Sequence, residues 1–145
     1  MLALSGTTEM GGLPVAEKSG SARDLEGVLR DLRSLSGDID SCAVLSEDGE
    51  LLSSSHGPGV DRERTAAMLA ALVALAERVA RESGKESVSQ VRVKTENGYL
   101  LLIGLGRGGC IAATTDPEAR VGLALYDMRN ARGEVEAALE GGRER

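Results

Sequence analysis

The chain contains no phenylalanine and no tryptophan, and its aromatic residues are two tyrosines, Tyr99 and Tyr126. Its core must therefore be built from Leu, Val, Ile, Met and Ala, and alanine in quantity implies close backbone approach somewhere. The same shortage removes the stacking platforms that hold single-stranded nucleic acids. Basic residues are also scarce: 17 Lys and Arg against 23 Asp and Glu leave a formal charge of −6. Binding to nucleic acid needs cations that displace counterions from phosphate, and no basic run is long enough to supply them. Nucleic acid is not an expected partner.

Cysteine is limited to Cys42 and Cys110, both in apolar, strand-like contexts. They read as small reduced core residues; a disulfide would require neighbouring strands, which the sequence alone does not show. With no C-x-x-C and no Cys/His cluster, no zinc site is implied, and no cofactor is expected. The single histidine, His56, lies in a His-Gly-Pro-Gly loop. It lacks the base and orienting partner that nucleophilic catalysis needs, and no serine sits in G-x-S-x-G. Asp38, Asp40, Glu47, Asp48 and Glu50 do not follow calcium-loop spacing and read as solvated turn carboxylates.

Two glycine patterns need the same scrutiny. Gly104-Leu105-Gly106-Arg107-Gly108-Gly109 spells G-x-G-x-x-G, but a dinucleotide site needs a helix after the glycines so that pyrophosphate meets its N-terminus. Here the strand-like Cys110-Ile111-Ala112-Ala113 follows, so the segment reads as a hairpin turn. No G-x-x-x-x-G-K-[ST] is present, and the chain is not itself a P-loop GTPase. No stretch approaches the roughly 18 apolar residues of a membrane span, and residues 1–20 lack the basic head and apolar centre of a signal peptide. The expectation is a cytoplasmic protein with no membrane insertion and no enzymatic activity.

What is present suits one domain of 145 residues. Residues 1–20, rich in Gly, Ser and Thr, read as a flexible tail, 21–140 as a single domain, and 141–145 as a frayed end. Ser21 and Asp24 form an S-x-x-D start, followed by a helix with Leu25, Val28, Leu29, Leu32 and Leu35 on one stripe, ending near Ser36 and Gly37. Strands at Ser41–Ser46 and Leu51–Ser55 flank an Asp48-Gly49 hairpin turn. Asp61 is expected to cap a helix of about 30 Å that stops at Gly84. Met68, Leu69, Leu72, Leu75, Ala76 and Val79 read as its core stripe; Ala66, Ala67, Ala70, Ala71 and Ala74 form a second face of small residues.

Ser87–Thr95 alternates, with Ser89, Val91 and Val93 on one side and Gln90, Arg92 and Lys94 on the other, as suits an edge strand. After a Glu96-Asn97-Gly98 turn, Tyr99–Leu105 is almost continuously apolar, and Cys110–Thr115 is rich in small residues; both read as central strands. Asp116-Pro117 is expected to open the last helix, whose stripe is Val121, Leu125, Met128, Ala131, Val135 and Leu139. Gly122 inside this helix suggests a close neighbouring backbone. Short strand-to-strand links make the hairpins antiparallel, giving an α+β layer structure of order helix-strand-strand-helix-strand-strand-strand-helix.

This order resembles the roadblock/dynein light chain family over about Arg23 to Leu139. The matching pieces are Leu25-x-x-Val28-Leu29-x-x-Leu32, the run Ala43-Val44-Leu45-Ser46-Glu47-Asp48-Gly49-Glu50-Leu51-Leu52, the Ala-rich second helix, and Arg120-Val121-Gly122-Leu123-Ala124. Relatives often carry Asn where this chain has Arg120. The resemblance implies a five-stranded antiparallel sheet of roadblock/profilin-like type, with two helices on one face and the long middle helix on the other. It also implies a homodimer formed by pairing third strands with the middle helices side by side, as a platform for a small Ras-like GTPase.

The residues independently support part of this. An exposed edge strand must be blocked or paired, a helix with a second apolar face needs a cover, and one twofold contact satisfies both. Ala67, Ala70, Ala71 and Ala74 with Ser89, Val91 and Val93 are therefore the expected dimer interface. Arg62, Arg64, Arg78 and Arg81 lie near the ends of the same helix; Arg64, Arg78 and Arg81 are the candidate partner-binding residues, since a planar guanidinium meets carboxylates well. The expected function is a non-enzymatic scaffold that modulates the nucleotide cycle or location of a small GTPase. The alternative is a structural adaptor in a larger signalling or motor complex, without nucleotide-dependent binding; a small-molecule site at the Gly-rich hairpin ranks behind both.

Overall fold

The computed structural model describes residues 24–55 and 60–143. The tail expected over 1–20, the Ser21 start, the His56 loop and the last two residues lie outside the described residues. Helix α1 spans Leu25–Leu35. Its cap is Asp24, whose Oδ1 accepts the Gly27 N–H at 2.9 Å, so Asp24 is the cap itself and not an acidic residue inside the first turn. Val28, Leu29 and Leu32 are buried, whereas Leu35, expected on the same stripe, is 71% exposed; the helix ends there, with the Ser36 N–H donating to the Leu32 carbonyl.

Strands β1 (Ser41–Leu45) and β2 (Leu51–Ser54) form the first hairpin. Gly49 at its turn has φ +88°, a left-handed conformation that glycine adopts without strain. Pairing skips between Val44↔Ser53 and Leu45↔Leu51, which makes Leu52 the extra residue of a bulge. Helix α2 spans Val60–Glu82, so Asp61 lies inside its first turn and is not its cap. Gly84 at φ +73° ends it, with the Lys85 N–H reaching the Ala80 carbonyl at 2.8 Å.

The last three strands are β3 (Gln90–Thr95), β4 (Gly98–Gly104) and β5 (Cys110–Thr114). Ser89 thus precedes the edge strand. Glu96 and Asn97 form the turn and Gly98 already pairs with Thr95. Gly98 is required by contact: a Cβ there would stand 1.8 Å from the Thr115 carbonyl oxygen. The sheet order is β2-β1-β5-β4-β3, antiparallel throughout.

Helix α3 spans Val121–Arg143, not from Pro117 as the Asp-Pro pair suggested. Asp116 closes a separate turn by accepting the Ala119 N–H at 3.2 Å. The cap comes from the α1–β1 loop, where Asp38 accepts the Arg120 backbone N–H and its Nε–H, each at 3.2 Å. This places the carboxylate at the positive end of the helix. Among the described residues Gly122 has no neighbour within 4 Å of the position a Cβ would take, so no described backbone explains it.

Helices α1 and α3 cover one face of the sheet. Val28, Leu29, Leu32, Val121, Leu125, Met128 and Val135 interlock there with Cys42, Val44, Leu101, Ile103 and Ile111. Helix α2 covers the other face, where the buried set is Leu45, Ala66, Leu102, Cys110 and Ala112. Five antiparallel strands, two helices on one face and one on the other are as the family resemblance implies. Cys42 and Cys110 lie on adjacent strands, but Cys42 pairs with Ala113 and Cys110 with Leu45, and they belong to opposite faces. Both are free and buried. Burial pushes each thiol up to about 11.

Candidate functional site

The side of α2 turned to the sheet is narrower than its sequence suggests. Ala66 is buried, and Leu69, Leu72 and Val73 are half-buried against the same cluster. Met68, Leu75 and Val79, expected in the core, are 59%, 59% and 57% exposed. With Leu72 they recur at i, i+4, i+7 and i+11, forming one apolar stripe about 16 Å long. The small residues explain the exchange of roles. Ala66 lets the helix approach the sheet, and a Cβ on Gly49 would be 3.2 Å from both the Ala67 Cα and the Ala70 Cβ. The close backbone approach implied by the alanines is thus made, in part, within the chain. Packing beneath the start of α2 is loose: a cavity of about 420 Å³ lies among Ala43, Leu51, Thr65, Ala66, Leu69 and Ala112.

The direction of the stripe matters. Ala67 and Ala70 stand over the β1–β2 turn, on the β2 side of the sheet, while Leu72 shares its cluster with Val91 of β3. By helical position the exposed stripe lies on the side of α2 turned away from Ala67 and Ala70; Ala71 falls between the two, and Ala74 continues the Ala67–Ala70 side, both exposed. Among the described residues, strand β3 pairs with β4 alone. Val91 and Val93 are half-buried and Gln90, Arg92 and Lys94 exposed, the alternation read from the sequence. Ser89 is exposed and its carbonyl accepts the Gly104 N–H at 3.3 Å. Its unbroken six-residue edge contrasts with β2, the other edge, which is four residues long and bulged.

The three candidate arginines do not converge. Arg64 reaches Asp61 at 3.4 Å, Arg78 reaches Glu82 at 3.2 Å, and Arg81 reaches Glu77 at 3.8 Å. All are exposed intrahelical pairs, worth a few tenths of a kcal/mol each. Arg64 is separated from Arg78 by about 21 Å of helix.

The Gly-rich segment forms the β4–β5 turn, with Gly108 and Gly109 at φ +95° and +87°. The Leu105 and Gly108 amides bond within the turn, the Gly106 amide donates to Glu136 Oε2 at 2.6 Å, and Arg107 pairs with Glu140. Three of the turn's amides are thus engaged within the chain. In the acidic group, Asp38 caps α3. Asp40 is held above the usual aspartate range by desolvation, by a hydrogen bond with Asp116 and by the Asp116 charge, against a smaller opposing effect of Arg33. Among the described residues no three His, Cys, Asp or Glu side chains converge on a common point, and no helix is long and apolar enough to cross a membrane.

Sequence reasoning missed the Asp38 cap and the identity of the exposed face. The cap joins residues far apart in the chain and leaves no local signal. The exposed face was present as an excess: α2 has more apolar positions than one helix side can bury.

Comparison with known proteins agrees with this architecture. The Roadblock/LC7 domain model matches residues 25–115. A Roadblock/LC7 domain from Streptomyces avermitilis is similar at 27% identity and TM-score 0.73, over 81% of this chain and 99% of that one. Myxococcus xanthus MglB is similar at 19% identity and TM-score 0.71, over 79% and 94%. Acanthamoeba castellanii profilin IA shares the fold at 13% identity and TM-score 0.58, over 77% and 96%. No curated protein matches the sequence.

Proposed function

Because the chain belongs to the Roadblock/LC7 domain family, whose members have regulatory and adaptor roles, we propose that it acts as a non-enzymatic, cytoplasmic homodimer. In this reading the dimer binds a small Ras-like GTPase and modulates its nucleotide cycle or location. The observation that supports it best is the uncovered stripe of Met68, Leu72, Leu75 and Val79, running beside an unblocked edge strand. Pairing β3 with β3 of a second copy would satisfy the open backbone groups and bring the two α2 stripes together. The contact is assigned to the stripe with Val91 and Val93; Ala71 lies at its margin, Ala74 continues the side of Ala67 and Ala70, and Ser89 extends the paired edge. Ala67 and Ala70 set the pose of α2 against its own hairpin. The outward ends of the two helices, with Arg64, Arg78 and Arg81, form the partner-facing platform.

The test is a pull-down from lysate of the source organism, with this protein as bait, in parallel with a GTP analogue and GDP. A small GTPase enriched in one nucleotide state, and lost when the bait carries Leu75→Glu, is the expected result. Reproducible recovery of other proteins with no GTPase in either state would replace this reading with the structural adaptor.

A further inference from the structure

Helix α3 carries a second exposed face, on the side of the sheet away from α2. Gly122, Tyr126, Arg129 and Gly133 recur at i, i+4, i+7 and i+11 and are all exposed, so they lie on one stripe. Tyr126 is 55% exposed, and Leu123 beside it 47%. Glycine disfavours a helix interior, where Gly133 lies, while Gly122 is in the first turn of α3; among the described residues neither has an atom within 4 Å of its would-be Cβ. Packing among the described residues explains neither. Tyr126 is one of only two aromatic residues in the sequence, and it stands in solvent. Arg129 makes a single long contact, 3.4 Å to Gln90 Oε1, which exchanges readily.

The order of these residues reads small, tyrosine, arginine, small. An antiparallel twofold centred between residues 127 and 128 superposes it on its own complement. Gly122 of one copy then lies over Gly133 of the other, and Tyr126 of each copy meets Arg129 of the other. The glycines let the helix backbones approach closely. The guanidinium on the tyrosine ring face is a cation–π contact, made twice by symmetry. Leu123 adds apolar area at the margin. We infer that the outer face of α3 is a self-association surface that joins two copies of this chain through an antiparallel α3–α3 contact. It is argued from other residues than the α2–β3 contact proposed above, which Arg129 borders through Gln90. Together the two twofold contacts would link dimers into tetramers or longer chains. The area of one helix pair is small for a permanent interface, so the contact forms as concentration rises.

Light scattering of the full chain over a concentration series tests this. Wild type should at least double its mass between the low-micromolar and near-millimolar ranges. Gly122→Leu should abolish the doubling while keeping or raising the melting temperature, because the position is open and leucine favours helix. Leu75→Glu, which breaks the α2–β3 contact, should retain the step as one chain going to two. In the antiparallel arrangement, Gly122 of one copy is about 16 Å along the axis from Gly122 of the other. Oxidation should therefore cross-link Gly122→Cys/Gly133→Cys chains and leave Gly122→Cys alone uncross-linked. A mass independent of concentration overturns the inference. So does a doubling that survives Gly122→Leu, or equal cross-linking of the single and double variants.

Discussion

The two faces of the sheet are completed in different ways. Among the described residues, sixteen buried side chains form a continuous core beneath α1 and α3, whereas the buried set beneath α2 numbers five. Both long helices run for 23 residues, so length does not account for the difference. On α3 Val121, Leu125, Met128 and Val135 point inward, while Leu123, Tyr126 and the glycines Gly122 and Gly133 are exposed. On α2 Ala66 points inward, and Met68, Leu75 and Val79 point outward. A helix that turns its large apolar side chains to solvent is built for contact with another molecule. The two edges of the sheet differ in the same sense: β2 is short and bulged, as edges protected from pairing are, while β3 is longer and regular. Both asymmetries point to the same side of the molecule.

Substitutions can break or sharpen this comparison. The largest effect is expected at the filled face. Met128→Ala should cost about 2–5 kcal/mol of unfolding free energy by urea titration, while Leu75→Ala, measured on the dissociated chain, should stay within about 0.5 kcal/mol. Equal losses at both positions would remove the distinction between the faces. Gly98→Ala, which drives a Cβ into the Thr115 carbonyl oxygen, should cost upwards of about 2 kcal/mol in the same titration. Asp38→Ala should cost about 1 kcal/mol through loss of the α3 cap, visible as faster amide exchange in the first turn of α3.

The smallest effect concerns pH. Asp40 has a raised pKa in the folded chain, so the fold favours its protonated form. Its ionisation therefore lowers stability as pH rises from below the ordinary aspartate range through the folded value. Asp40→Asn should match wild type in acid and be slightly more stable at neutral pH. The group is exposed, so the difference is small, and an unchanged stability gap across that range would contradict the assignment.

Much of this architecture was legible in the sequence, because its signals are local. Strict alternation marks β3, the Asp48-Gly49 pair marks the first hairpin, and the strand-like Cys110-Ile111-Ala112-Ala113 run shows that the Gly-rich segment is a turn. Boundaries failed where the deciding partner is distant. Asp116-Pro117 has the local form of a helix start, but the acceptor that fixes the start of α3 is Asp38. The core stripe of α2 failed in a different way. Periodicity showed that α2 has two apolar sides, and size suggested that the larger residues face the core. Which side faces the sheet was settled by steric approach: Ala66 meets the sheet, and Ala67 and Ala70 meet Gly49, contacts that no pattern along the helix records.

The most direct test is the solution mass at low micromolar concentration, wild type beside Leu75→Glu. The account predicts twice the 15.1 kDa of one chain for wild type and a single-chain mass for the variant. A single-chain mass for both would show that the α2 stripe and the β3 edge are not joined to a second copy, and would contradict the shared platform on which the proposed function rests.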